Sequence, residues 1–143
     1  PSKNELAADY LRLMGEEGLA RFDAAMAADP TDPRGCFLNW LVDLLTKASR
    51  PDYRGCRTTN AAVEYPDKRH PARKVSSNIK TRFRAKLACA AQAMGAREPD
   101  QLGDALMLLL EGVYSSGQLF GEGGPARVVI DAADAVIDRY LAR

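Results

Sequence analysis

The feature that most constrains this chain is a rhythm. Apolar residues return every three or four positions in six successive segments, and proline or glycine separates each segment from the next. A period near 3.6 places those residues on one stripe of a helix, whereas a half-buried strand needs alternation by two. The sequence therefore predicts an all-α chain of six helices, folded as one domain.

The boundaries follow from local chemistry. Ser2-Lys3-Asn4-Glu5 has the form of a capping box, in which the serine hydroxyl and Glu5 satisfy each other's backbone amides. Leu6, Tyr10, Leu13, Met14 and Phe22 follow at helical spacing, so a first helix runs to about Ala28. Asp32 and Pro33 supply the cap and first residue of a second, whose apolar face (Phe37, Trp40, Leu41, Leu44, Leu45, Ala48) reaches roughly Ser49. A short third helix spans about Gly55 to Glu64, and Tyr65-Pro66-Asp67 closes it. Pro71 opens the fourth, with Val75, Ile79, Phe83 and Leu87 on its stripe and Gly95 as the residue that ends it. The fifth begins at Glu98-Pro99-Asp100 and extends to about Phe120, and the sixth starts at Pro125 beyond a glycine-rich connector.

Composition narrows the function. No run approaches the ~18 apolar residues that cross a bilayer, and no leader precedes a cleavage-like site, so a cytoplasmic protein is expected, with no membrane partner. Charge is uneven: residues 1–34 carry 4 basic and 7 acidic groups, residues 35–96 carry 12 and 4, and residues 97–143 carry 4 and 8, for a net +1. That balance lacks the strongly basic face of a domain gripping DNA by itself. The positive middle faces an anionic ligand, a DNA-bound assembly or only solvent. The three cysteines, Cys36, Cys56 and Cys89, form no metal-like pair and are expected to be buried thiols, with a redox sensor as the alternative.

Nothing in the chain assembles a catalytic constellation. Its single histidine, His70, precedes a proline at a helix start and reads as a cap, and its serines have no nucleophile turn around them. Gly121–Gly124 lacks the strand, lysine and hydroxyl of a phosphate loop. No enzyme activity, metal or cofactor is expected. A mostly apolar cavity with a few placed polar groups is what a small-ligand site requires. The candidates are Tyr10, Met14, Phe37, Trp40, Leu44, Asn60, Glu64, Phe83, Leu110, Tyr114 and Gln118. Ordinary core packing competes for most of them. Asn60 occupies a position the apolar pattern would otherwise fill, so its amide meets neighbouring backbone or a ligand. Glu64 accepts from a ligand or pairs with Arg57 or Arg73. The last two helices are apolar on more than one face, so Leu108, Leu119, Val129, Ala133, Val136 and Tyr140 are expected to be covered by a twofold copy, or else within the same chain.

The order of elements resembles a known family. Pro1-Ser2-Lys3-Asn4-Glu5-Leu6 is similar to the junction after the recognition helix of TetR/AcrR regulators. Tyr53-Arg54-Gly55-Cys56, Asn60-Ala61-Ala62-Val63-Glu64-Tyr65-Pro66-Asp67 and His70-Pro71-Ala72-Arg73 resemble the central motif of one TetR branch, and the last two helices resemble its dimerisation pair. The resemblance implies a six-helix, TetR-type C-terminal regulatory domain over residues 1–143, with 1–6 as the junction and 99–143 as a two-helix dimerisation element. It further implies a homodimeric regulator, a repressor in particular, that binds a small-molecule effector in a cavity lined by Trp40 and Tyr114. DNA contact is implied through a helix-turn-helix headpiece that is not among these residues, two headpieces entering major grooves ~34–36 Å apart. A ligand-free helical oligomerisation module is the competing reading, and a filled interior would favour it.

Overall fold

The computed structural model describes residues 1–141; positions 142 and 143, which close the expected domain and its dimerisation element, lie outside the described residues. Six α-helices and one 3-10 turn account for the described residues, with no strand among them.

α1 (Lys3–Ala27) opens on the expected capping box: the Ser2 hydroxyl accepts from the Glu5 amide at 3.2 Å, and the Glu5 carboxylate accepts from the Ser2 amide at 2.6 Å. α2 (Pro33–Ala48) is capped by Asp32, which accepts from the Gly35 amide at 2.8 Å. α3 (Arg57–Glu64) starts two residues later than the sequence suggests, because Gly55 is still turning the chain at φ +75°. α4 (Pro71–Ala93) is capped by His70, whose Nδ1 accepts from the Ala72 amide at 3.2 Å while its ring stacks on Tyr65 at 4.1 Å. α5 (Pro99–Phe120) matches its expected span. The final segment is divided: Pro125–Val128 forms the 3-10 turn and α6 (Val129–Leu141) follows.

α4 is the centre of the packing, lying against α1, α3 and α5, while α2 spans α1, α5 and α6. Phe22, Phe37, Leu41, Leu87, Leu106 and Ile137 are among the most deeply buried side chains of the main core. A smaller cluster of Leu11, Ala61 and Ala72 ties α1 to α3 and α4. Arg34 fastens α2 to α6, donating to Asp134 and standing 2.7 Å from an oxygen of Asp138. Ion pairs Arg82–Glu16 and Lys86–Asp23 cross from α4 to α1 on the surface, where each adds little to stability.

This packing corrects the expectations for Phe37, Leu110, Val129, Ala133 and the cysteines. Phe37 (0% exposed) and Leu110 (1% exposed) fill the core and line no cavity. Val129 and Ala133 recur at i, i+4 with Ile137 and are buried within the same chain, so they are not free to meet a second copy. Val136 and Tyr140 are half-buried against that same core. The cysteines are not uniformly buried either: Cys36 is, Cys56 is half-buried and Cys89 is exposed on α4. Among the described residues no helix is long and apolar enough to cross a membrane.

Candidate functional site

Five helices leave a cavity of about 490 Å³ between them, partly open to solvent. Two glycines of α1 line it. At Gly15 a Cβ would stand 2.6 Å from Ile79 of α4, so the bare backbone permits a close helix crossing. At Gly18 a Cβ would meet nothing within 4 Å, although Gly18 lies in the interior of α1. Glycine there costs ~0.5–1 kcal/mol relative to alanine, and packing does not require it. The empty space beside Gly18 belongs to the cavity.

One wall is aromatic. Phe22 presents its edge to Trp40 and to Phe83, at centroid distances of 4.9 and 5.3 Å, and so fixes both rings from behind. Trp40 and Phe83 then face the cavity with Met14, Leu19, Leu44 and Ile79. Tyr53 and Tyr114 complete the opposite side. Burial, reinforced by the nearby Cys56 and Glu111, pushes the Tyr53 phenol up to about 12 and the Tyr114 phenol well above its ordinary value, so both remain neutral hydrogen-bonding groups.

The polar groups are of two kinds. On the lining Lys80 pairs with Glu111, which also accepts from the Thr59 hydroxyl at 2.9 Å, and the Lys80 ammonium lies 4.8 Å from the Tyr114 ring centroid. Cys56 shares a 3.1 Å contact with the Thr58 hydroxyl. Burial pushes its thiol up, but Lys80, Thr58 and Thr59 together outweigh that and leave it below the ordinary thiol value. At the opening stand Arg21, Asp43, Lys47 and Arg57, all exposed. Arg57 also lies 6.0 Å from the Tyr10 ring centroid.

Of the eleven residues proposed from sequence, Met14, Trp40, Leu44, Phe83 and Tyr114 line this cavity. Six do not. Tyr10 is half exposed on the outer side of α1 and meets the cavity only through Arg57. Asn60 is exposed, and its amide donates to the Arg54 carbonyl at 2.6 Å, so the backbone alternative holds. Glu64 is exposed, and among the described residues it pairs with neither Arg57 nor Arg73; Arg73 donates instead to the Ala62 carbonyl at 2.7 Å. Gln118 is exposed, with its side-chain oxygen beside Gly55. Phe37 and Leu110 are core residues, as described above. The sequence reading missed the segment Tyr53–Thr58 and the cations Lys47 and Lys80. A usable signal was present in Gly15 and Gly18, two glycines three apart inside a long helix, which mark a face where side chains are deliberately absent.

Thiol reactivity checks this geometry. In the folded chain iodoacetamide is expected to label Cys89 and Cys56 and to spare Cys36, as read by peptide mass spectrometry, and a molecule in the cavity should suppress labelling at Cys56 alone. Unprotected Cys56 in the presence of a bound small molecule would place that molecule elsewhere.

No protein-family model matches the chain, and no curated protein matches it. Solved structures do. A TetR-family transcriptional regulator from Streptomyces coelicolor superposes with a TM-score of 0.85 at 22% identity, over 98% of this chain and 74% of that one. A protein of Streptomyces avermitilis assigned to the TetR transcriptional regulators superposes with a TM-score of 0.73 at 31% identity, over 93% of this chain and 75% of that one. The first likeness shows the fold; the second, at its higher identity and coverage, shows the family. This chain belongs to the TetR family of transcriptional regulators.

Proposed function

We propose that the chain is the effector-binding and dimerisation part of a homodimeric repressor, and that a small organic molecule in the five-helix cavity weakens DNA binding. The single observation that carries this is the cavity itself: a void of about 490 Å³ with an aromatic wall and a few placed polar groups. An oligomerisation module without a ligand has no use for such a void, which sacrifices packing contacts. Within this reading α1 is the moving part. It carries Met14, Gly15, Gly18 and Leu19 on the cavity and, nearer its start, the exposed Leu6 and Leu13, which lie seven residues apart on one face. A DNA-reading headpiece joined at residues 1–6 would cover that face and feel a shift of α1. Coupling of ~1–3 kcal/mol is enough to change DNA affinity 5- to 150-fold.

Gly18 offers the test. Gly18→Ala is expected to stabilise the chain by ~0.5–1 kcal/mol, since helix propensity improves and nothing obstructs the added methyl. Gly18→Phe should fill the cavity, leave thermal stability at least equal to that of the parent, and abolish binding of compounds that quench Trp40 emission. Undiminished binding in a folded Gly18→Phe chain would remove the cavity as the effector site.

A further inference from the structure

The cavity is electrically asymmetric, and the asymmetry specifies a ligand class. Resting on the reading of this void as the effector site, we infer that the effector is an amphiphilic organic anion, an aromatic or aliphatic carboxylate, whose apolar body enters first and whose charged head stays at the mouth between Lys47 and Arg57.

Three observations support this. The first is the count of free charges at the mouth. Arg21 is paired with Glu17, but Lys47 and Arg57 have no ion-pair partner among the described residues, and they face a single carboxylate, Asp43. The second is the state of Lys80, the other cation on the lining: Glu111 already neutralises it and Thr59 completes the network, so a carboxylate bound there would have to break that pair. The third is the apolar part of the lining. Trp40, Phe83, Leu44 and Ile79 form an apolar sleeve that suits rings or methylenes and offers no partner to a charge. A cationic ligand would meet uncompensated Lys47 and Arg57 on the way in. A neutral apolar one would leave both unused.

The experiment titrates Trp40, the one tryptophan in these 143 residues, with three probes of one shape and different charge: 4-phenylbutanoate, 4-phenylbutanamide and 4-phenylbutylammonium. The carboxylate is expected to bind about tenfold more tightly than the amide at low salt, as two partly exposed cations allow, and the ammonium more weakly still. That advantage should shrink as salt rises, since the mouth is solvated. The double variant Lys47→Met with Arg57→Met should erase the carboxylate's advantage over the amide. Equal affinities of all three probes, or a preference for the ammonium, would overturn the anion assignment and leave the cavity standing as a site for another class. Failure of every probe to bind a chain shown by circular dichroism to be folded would count against both the anion and the cavity.

Discussion

Replacing Leu108 and Leu119 together by glutamate is expected to turn a dimer into a monomer. These two leucines are 75% and 72% exposed, and at i and i+11 they lie on one face of α5, with the exposed Phe120 and Val128 close by in sequence. We propose that a twofold copy of the chain covers them. If α5 meets its twofold copy there, each glutamate would be desolvated without a counter-charge, costing ~3–5 kcal/mol or more for the pair and raising the dimer Kd on the order of a thousandfold. Sedimentation equilibrium at micromolar concentration reads the outcome directly. The parent chain should weigh twice 15.6 kDa and the variant once, with unchanged helix content. A parent chain that is monomeric, or a variant that remains dimeric, would place the interface elsewhere. Val129→Ala and Ala133→Gly, by contrast, should alter subunit stability rather than assembly, because both positions are enclosed within the chain.

Phe37→Ala is expected to cost ~3–5 kcal/mol of folding stability, the range for truncating a fully buried aromatic ring. For a domain of this size that lowers Tm by about 10 °C. Phe37 packs beside Trp40, with ring centroids 5.9 Å apart, yet faces the core and not the cavity. The substitution therefore separates two roles that the sequence could not. Ligand affinity per folded molecule should stay close to that of the parent, whereas Trp40→Ala should lose ligand binding with a smaller loss of stability, since Trp40 is only partly buried. Calorimetry paired with a binding titration distinguishes them. A Phe37→Ala chain with parental stability and no ligand binding would reverse the assignment.

The contrast between Phe37 and Trp40 shows how far the sequence could be read. Helices, caps and turns were legible because each is governed by neighbours along the chain: Ser2 with Glu5, Asp32 with Gly35, His70 with Ala72. Apolar residues destined for some interior were equally legible from their period. Which interior was not, since a stripe looks the same whether it faces a filled core, a void or a second subunit. Leu108 and Val129 both fit an apolar stripe, yet one is exposed and the other enclosed. Asn60 misled for a related reason. Its helix is short and lies over α4 at one side, so a position that the period marks as inward is solvent-facing, and its amide closes the turn at Arg54. The void was hidden because it consists of side chains that are absent, as at Gly18, where nothing lies within 4 Å of a would-be Cβ.

The central claim is that a molecule in this cavity acts on α1. Hydrogen exchange of the chain, with and without any compound that quenches Trp40, tests it most directly. Amides of residues 14–25 and 53–58 should exchange more slowly in the complex, with a change continuing along α1 toward Lys3, while the outer face of α5 around Leu108 is unaffected. Quenching of Trp40 with no altered exchange anywhere in α1 would contradict the claim.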